Sequence, residues 1–297
     1  MVNHSRPAWK VSLHGGHSGT YCDHAKGELF EVLEAAVEQG YHTYGVSEHA
    51  PRLGDHLIYP NERQMGWDVA KITHDFERYV HDIFPLAQQF SDRLTVLCGF
   101  EIEVVPEDRY VEIMSGYRKQ YPFDFIVGSV HHLYEISIDG PIEDFEEIVK
   151  RAGSLEKTAI LYYEAVGRMI ESMKPEVVAH LDLVRRNAPS NESVETPAIK
   201  KAAEKTLEIV LANDCILDLN TAGYRKGLIH PYPAPWLLQR AHDMGIGLCF
   251  GEDSHGPHDV GAGIDDARQY LLNHGIETVR VLNKENGKVV KKVVPLA

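Results

Sequence analysis

The stretch WKVSLHGGHSGTYCDHAKG, residues 9–27, joins a short apolar run to a loop that is crowded with polar side chains. Between His14 and His24 the loop holds three histidines, one cysteine and one aspartate. The apolar run predicts a buried β-strand. Histidines placed directly after a strand indicate a site at its carboxyl end, provided that other strands of the chain end in the same way.

Six further short apolar runs follow along the chain. They are rich in β-branched residues, as expected for strands that are buried on both faces. Segments with helical spacing lie between most of them, and the first places Leu29, Val32 and Ala36 on one face. The predicted strands are residues 9–13, 41–48, 94–104, 123–130, 176–184, 215–220 and 246–252, and the predicted helices are residues 27–40, 69–90, 144–173, 195–211, 234–244 and 261–274.

Strands that alternate with helices predict a parallel sheet. Seven of them at regular intervals favour a closed, distorted α/β barrel of the (β/α)7 type over the alternative, an open doubly wound sheet. We find no internal repeat, linker or break in composition, so we expect one domain over residues 1–297. Residues 278–295 predict a C-terminal hairpin that turns at Asn286–Gly287.

Composition excludes several classes of partner. The formal net charge is −14, whereas nucleic acids and anionic membranes bind basic surfaces, so neither is expected. No segment reaches the ~18 apolar residues of a membrane span, and the N-terminus lacks a signal-peptide core. The four cysteines form no CxxC pair, which favours reduced thiols and a cytoplasmic protein. The oligomeric state is left open.

Histidines and carboxylates follow most of the predicted strands. The carboxyl ends of barrel strands meet at one face, where such folds carry their active sites. Imidazole and carboxylate bind zinc and harder divalent ions such as manganese. These side chains exceed the needs of one tetrahedral ion, so the pattern predicts two or three metal ions that share a bridging carboxylate. They are His14, His17, His49, Glu101, His131, His132, His180, Asp182, Asp253 and His255.

The spacing of the first two histidines is unusual. Side chains on one face of a strand are two residues apart, whereas His14 and His17 are separated by two glycines. Both can face one metal only if a bulge or a tight turn absorbs the extra residue. Otherwise one of them is not a ligand, and His17 is the better candidate. We interpret Cys22 as a structural thiol, with a metal ligand as the alternative.

Together these segments resemble the PHP (polymerase and histidinol phosphatase) metallo-phosphoesterases, and within them the histidinol-phosphate phosphatase branch. The resemblance implies a distorted seven-stranded α/β barrel with a trinuclear metal centre. Imidazole-rich sites accept zinc, iron or manganese, and the sequence does not decide among them. The matching segments span residues 14–256 in the family's order: HGGHSGTYCDHAKG, FEVLEAAVEQGYHTYGVSEHAPR, GFEIE, DFIVGSVHHL, VVAHLDLVR, LDLNTAGYRKGLIHPYP and FGEDSHG.

The resemblance also implies which side chains bind each metal. The family usually separates the first two histidines by one residue, so the H-G-G-H segment is a departure that bears on His14. The implied ligand sets are His14, His17, Glu101 and Asp253 for one ion, Glu101, His131 and His180 for a second, and His24, His49 and His255 for a third.

The expected chemistry is hydrolysis of a phosphate monoester. Such esters hydrolyse very slowly in water. Two divalent ions about 3.5–4 Å apart hold the phosphoryl oxygens and lower the pKa of the attacking water. We assign catalysis to Glu101, His132, Asp253 and His255.

The leaving alkoxide needs a proton, and three side chains are candidates to supply it. They are His132, Asp182 and Glu252, and the sequence does not rank them. Asp182 has a second interpretation, in which it orients His180 by a hydrogen bond. His132 could equally pack behind His131.

Two arginines are predicted to hold the substrate phosphate, because a guanidinium matches phosphate oxygens with two parallel hydrogen bonds. Arg225 follows the sixth predicted strand, and Arg52 follows His49 by three residues. A surface salt bridge is the alternative for each, and we expect Lys226 to be solvated. Residues 56–67, HLIYPNERQMGW, predict either a lid over the substrate or an ordinary capping loop.

The resemblance implies a metal-dependent phosphatase that converts L-histidinol phosphate to L-histidinol and phosphate in histidine biosynthesis. A PHP phosphoesterase for another small phosphate monoester or a nucleotide is the alternative, because the site chemistry would be the same. A non-catalytic metal-binding protein is a lesser alternative, favoured only by the H-G-G-H segment. A nuclease conflicts with the net charge.

Overall fold

The structure is a computed structural model, and it describes residues 6–285 and 287–297. Short strands and longer helices alternate over most of this range. The strands are β1 Val11–Gly16, β2 Thr43–His49, β3 Thr95–Glu101, β4 Phe125–Gly128, β5 His132–Leu133, β6 Ile136–Ser137, β7 Val177–Val178, β8 Ile216–Asn220, β9 Leu248–Ser254, β10 Thr278–Glu285 and β11 Lys288–Pro295.

Seven parallel strands close into a barrel in the order β1, β2, β3, β4, β7, β8, β9. β1 pairs with β2 on one side and with β9 on the other, which closes the ring. The residues of β1, β4 and β8 are all buried, because both faces of the sheet are covered. The predicted closed barrel is confirmed, and the alternative of an open sheet is wrong.

All the helices but the last lie between barrel strands; the prediction missed three of them, Pro60–Gln64, Tyr110–Gln120 and Ala222–Arg225, and joined two others. The segment predicted as one helix over residues 144–173 is two helices, because Gly153 takes a left-handed conformation (φ +92°) and Ser154 caps the next helix. The helix α4 was not predicted, since Met114 is its one buried residue. The helices are α1 Leu29–Glu38, α2 Pro60–Gln64, α3 Val69–Phe90, α4 Tyr110–Gln120, α5 Ile142–Ala152, α6 Leu155–Met173, α7 Pro197–Ala212, α8 Ala222–Arg225, α9 Pro235–Asp243 and α10 Ile264–Asn273.

The C-terminal hairpin has the predicted extent. β10 and β11 pair antiparallel from Thr278 opposite Pro295 to Glu285 opposite Lys288, which leaves two residues for the turn. Gly287 has the positive φ (+75°) that such a turn requires. Asn286, the other predicted turn residue, lies outside the described residues. Within the described part of the chain, no helix is long and apolar enough to cross a membrane.

The two glycines after His14 are absorbed inside β1. Ser12 pairs with Tyr44 and Gly16 with Val46, so four steps along β1 run opposite two steps along β2. The pairing of β1 with β9 is irregular over the same residues. This is the bulge that lets both histidines of the H-G-G-H segment turn to the same end of the barrel.

Gly15 is the tightest point of this bulge. A Cβ built at Gly15 would lie 2.7 Å from the Tyr44 ring and closer still to the carbonyl oxygen of Gly45. We therefore expect Gly15→Ala to lower the free energy of unfolding by about 2 kcal/mol or more, because a tight backbone contact must open. Chemical denaturation measures this change. Gly116→Ala is the control: nothing lies within 4 Å of a Cβ there, and alanine in a helix should stabilise by about 0.5–1 kcal/mol. Equal effects of the two substitutions would contradict the packing described for β1.

Candidate metal centre

Glu101, the last residue of β3, lies at the centre of the polar end of the barrel. Its side chain is fully buried and accepts a hydrogen bond from Ser129. Nitrogen atoms of five histidines lie 3.0–3.6 Å from its carboxylate oxygens. They come from β1 and the residue after it, from β2 and from the segments that follow β4 and β7: His14, His17, His49, His131 and His180.

The predicted ligands are grouped around this carboxylate in three clusters. In each cluster, one nitrogen, oxygen or sulfur atom per residue lies within 4.8 Å of the others. Two clusters share Glu101, and the third lies beside them. A fourth set brings in Glu103, which sequence reasoning missed. The sets are His14, His17, Glu101 and Asp253; Glu101, His131 and His180; Cys22, His24, His49 and His255; and His49, Glu103 and His131.

The H-G-G-H segment brings both of its histidines to one cluster. The Nε2 atoms of His14 and His17 lie 3.7 and 3.2 Å from Oδ1 of Asp253. Both are also within 3.6 Å of Glu101. The extra glycine therefore displaces neither ring from the cluster, because the bulge in β1 absorbs it.

Buried carboxylates outside the clusters orient the histidine rings. Nδ1 of His14 lies 3.2 Å from Asp218, and Nδ1 of His17 lies 3.5 Å from Glu48. In both rings the opposite nitrogen, Nε2, is left to face Glu101. A carboxylate on the far nitrogen is the usual partner of a metal-binding histidine, since it fixes the ring and its tautomer.

Several buried polar atoms at this end of the barrel make no hydrogen bond. An unsatisfied buried donor or acceptor costs about 1–3 kcal/mol, so such atoms are rare in native structures. Divalent ions bound among these side chains would satisfy them, except for Nδ1 of His17, which faces Glu48 over 3.5 Å. Imidazole with carboxylate is a suitable donor set for zinc, iron or manganese. The atoms are Nε2 of His14, both ring nitrogens of His17, Nδ1 of His49, Oε2 of Glu101 and Oδ1 of Asp253.

Two residues of these clusters have backbone conformations that favour glycine. His180 has φ +27° and Asp253 has φ +48°. A non-glycine residue in such a region costs about 1–3 kcal/mol and is typical of functional sites. The chain therefore accepts backbone strain at two positions whose side chains point into the clusters.

The charges of the clusters are strongly coupled. Burial alone would raise the pKa of Glu101, but His14, His131 and His49 hold it well below its usual value. Burial lowers the pKa of His17, yet Asp253 and Glu48 raise it to about 9. In the same way Glu103 and Glu101 raise the pKa of His131 to about 10. Without metal, these imidazoles carry the positive charge that the carboxylates need.

A cavity of about 750 Å³ opens onto the clusters. Its lining includes His24, His49, His131, His180, Asp253 and His255. The segment predicted as a lid or capping loop forms part of one wall, through Tyr59, the start of α2 and Gln64. Charged side chains line the rest, and they include Arg52, Arg186, Arg225, Lys226, Glu103, Asp139, Asp144 and Asp259.

The two predicted phosphate-binding arginines both line this cavity, but their guanidinium groups differ in their hydrogen-bond partners. NH2 of Arg225 donates to the carbonyl oxygens of Glu252 and Asp253, at 2.6 and 2.8 Å, while its buried NH1 makes no hydrogen bond. The guanidinium of Arg52 already has partners: it forms an ion pair with Glu62 and donates to the carbonyl oxygen of Leu57. Of the two, only Arg225 presents an unsatisfied buried donor.

Two further cations on the cavity were missed or misplaced by sequence reasoning. Arg186 lines the cavity and donates to Asp139 over 2.9 Å. Its place shortly after the fifth predicted strand was a signal that could have found it. Lys226, which we expected to be solvated, also lines the cavity.

The three candidate proton donors do not line the cavity among the described residues. The His132 ring stacks on Tyr59, with its Nδ1 3.5 Å from Glu103. Asp182 pairs with Arg185 and accepts from the Ala234 amide, so it does not orient His180. The carboxylate that holds the backbone of His180 is Asp218, over 2.6 Å.

Glu252 faces away from the clusters. Its carboxylate accepts hydrogen bonds from the Tyr41 and Tyr44 hydroxyls and from the Gly261 amide. Burial raises its pKa to about 7 despite these donors. Because neighbouring side chains of a strand point to opposite faces, Glu252 and Asp253 cannot both reach the cavity.

The class of the protein follows from comparison with known families. The chain belongs to the PHP domain family, whose model matches residues 14–222. It is 31% identical over 291 residues to a protein of Schizosaccharomyces pombe named probable histidinol-phosphatase, a match that covers 95% of this chain and 94% of the relative.

Two solved structures have the same fold. The crystal structure of hisK from Listeria monocytogenes superimposes with a TM-score of 0.75 at 26% identity, covering 86% of this chain and 99% of that one. Histidinol phosphate phosphatase from Lactococcus lactis, solved with zinc, L-histidinol and phosphate, gives a TM-score of 0.72 at 19% identity, over 95% and 99% of the two chains.

The raised pKa values of His17 and His131 predict how metal binding depends on pH. Both rings hold protons in the metal-free chain below about pH 9 and 10, and a ligand nitrogen must be unprotonated. Apparent zinc affinity should therefore rise with pH from 6.5 to 9, by about tenfold per pH unit for each proton displaced.

Competition with a chelating dye at several pH values measures this slope. The exposed His81 provides the control, since His81→Gln should leave the slope unchanged. An affinity that stays constant from pH 6.5 to 9 would contradict the protonation described for the clusters.

The raised pKa values of His17 and His131 also determine how the stability of the metal-free chain depends on pH. The ion pairs of these two histidines stabilise the chain fully below pH 6.5, and this stabilisation is lost as pH rises through 9 and 10.

Proposed function

We propose that this protein is a metal-dependent phosphatase that hydrolyses L-histidinol phosphate to L-histidinol and phosphate. The observation that carries the proposal is the set of ligand clusters around Glu101, several of whose histidines line a cavity that Arg225 also lines. The S. pombe relative supports the assignment, because it is similar over nearly its whole length and is named probable histidinol-phosphatase.

We further propose that the three clusters hold three divalent ions, with Glu101 shared by two of them. Zinc is supported by the Lactococcus lactis structure, which contains it, while iron and manganese suit the same imidazole and carboxylate donors. When bound, such ions neutralise phosphoryl charge and lower the pKa of the attacking water. Glu101, Asp253 and His255 would serve catalysis by holding them.

The phosphate would be held by Arg225 and Arg186. The free NH1 of Arg225 is buried at the cavity, where a phosphate oxygen would satisfy it. Arg186 lines the same cavity. Arg52 would support the wall of the cavity through Glu62 and Tyr59, since its guanidinium lies 3.9 Å from the Tyr59 ring centre. His132 would position Glu103 and Tyr59.

The carboxylates of the cavity favour a substrate that carries positive charge beyond its phosphate. Asp144 lines the cavity together with the arginines. L-Histidinol phosphate has an ammonium group and an imidazole, which carboxylates can bind. A nucleotide or a sugar phosphate offers no such cation, so the acidic lining supports histidinol phosphate over those alternatives.

Phosphate release from L-histidinol phosphate, beside a panel of sugar phosphates and nucleotides, tests the proposed substrate. Metal content is measured on the same sample. We expect turnover of L-histidinol phosphate at least about tenfold above every other substrate, because one lost charge pair in a partly buried site costs about 1.4 kcal/mol or more. Equal turnover across the panel would retain the phosphatase and reject this substrate. No turnover by the metal-loaded protein would reject the enzyme.

Removal of the Arg225 side chain tests the phosphate site. Arg225→Gln should lower kcat/KM for L-histidinol phosphate by about 10²–10³, the usual loss for one preorganised donor to a developing anion. The matched control is Arg240→Gln, because Arg240 is a half-exposed arginine on α9 that pairs with Glu204. A loss of less than threefold at Arg225 would contradict its role.

A further inference from the structure

The sulfur of Cys22 lies inside one of the three clusters. Its Sγ atom and ring nitrogens of His24, His49 and His255 are all within 4.8 Å of one another. The side chain is buried, at 6% exposure. Our expectation of a structural thiol therefore needs revision, because the sulfur has three imidazoles as near neighbours.

The distance from the sulfur to Nε2 of His24 is that of two ligands on one tetrahedral ion, while Nδ1 of the same ring lies slightly nearer to the sulfur. Sγ lies 3.3 Å from Nδ1 and 3.5 Å from Nε2 of His24. With Zn–S of about 2.3 Å and Zn–N of about 2.0–2.1 Å, a tetrahedral angle places sulfur and nitrogen about 3.5 Å apart. A cavity of about 30 Å³ borders Cys22, His24 and His49, whereas His255 lines the larger cavity.

Two of the three imidazoles have their Nδ1 atom paired with an oxygen atom. Nδ1 of His24 lies 2.8 Å from Asp23, and Nδ1 of His255 lies 2.9 Å from the carbonyl oxygen of Asp253. Each ring therefore keeps its Nε2 as the available ligand atom. An oxygen on the far nitrogen is the arrangement that fixes a metal-binding imidazole.

We propose that Cys22 coordinates one divalent ion as a thiolate, together with His24, His49 and His255. This inference rests on the proposed metal centre and adds a sulfur ligand to it. On binding, the S–H bond breaks, the sulfur forms a bond to the ion, and the proton goes to solvent. One position of the centre then has a Cys–His₃ donor set, while the other two have only imidazole and carboxylate.

A sulfur ligand makes the three positions chemically unequal. Thiolate favours zinc, and cobalt in its place, over manganese, which prefers oxygen donors. The Cys22 position should therefore retain zinc when manganese is in excess, whereas the two positions around Glu101 exchange more readily. The centre would then be mixed under manganese-rich conditions.

The test is the absorption spectrum of the full-length protein after its metal is removed and replaced by cobalt(II). A cobalt–thiolate bond gives a charge-transfer band in the near ultraviolet that imidazole and carboxylate do not give. We expect this band in the unchanged protein and its complete loss in Cys22→Ala. The control is Cys98→Ala, a buried thiol of β3 outside the clusters, which should keep the band.

The weakening of zinc binding is the second measurement. Loss of a group that only hydrogen-bonds to a metal ligand lowers metal affinity by about 10–100-fold. Because Cys22 would be a ligand itself, Cys22→Ala should lower the zinc affinity of one position by more than that. Circular dichroism on the same samples checks that the variant is folded. A cobalt-loaded protein without the band, or a band that survives Cys22→Ala, would overturn the proposal.

Phosphate release measured on the same samples separates the two hypotheses. An active enzyme without the cobalt–thiolate band would reject the sulfur ligand and retain the phosphatase. A protein with the band but without activity on any phosphate monoester would reject the phosphatase and retain the ligand.

Discussion

The fully buried carboxylate of Glu101 is the constraint on which the rest of the site depends. An ionised carboxylate away from water is very costly unless cations or metal ions compensate it. Five histidines approach it to 3.0–3.6 Å. A closed parallel barrel is suited to this task, because the carboxyl ends of all its strands converge on one face.

A second layer of buried carboxylates surrounds the histidines that face Glu101. Asp218, Glu48 and Glu103 each contact histidines that in turn face Glu101. This layer fixes which nitrogen of a ring faces inward, so the clusters are largely preorganised. The bulge in β1 belongs to this design, because it turns His14 and His17 toward the same carboxylates.

The sequence predicted the barrel and the grouping of the ligands because both depend on strand order. Histidines at strand ends meet wherever a closed parallel barrel forms, whatever the loops do. The proton donors depended on side-chain direction instead. Glu252 and Asp253 are adjacent on β9, and the strand turns one toward Tyr41 and Tyr44 and the other toward the clusters.

Other features could not be decided from the sequence, because they depend on contacts between distant parts of the chain. Cys22 meets His49 and His255 only through the fold. Arg52 looked as available as Arg225, but Glu62, ten residues further along the chain, binds its guanidinium. The break between α5 and α6 could have been predicted from Gly153 and Ser154, because glycine often ends a helix and serine often caps the start of the next one.

The most direct test of this account is the metal content of Glu101→Gln, purified beside the unchanged protein and checked for folding by circular dichroism. An amide cannot supply the negative charge that two ions share at this position. The account predicts that the variant loses two ions per chain and keeps the one near Cys22, His24, His49 and His255. A folded Glu101→Gln protein with the full metal content of the unchanged chain would contradict the central place of this carboxylate.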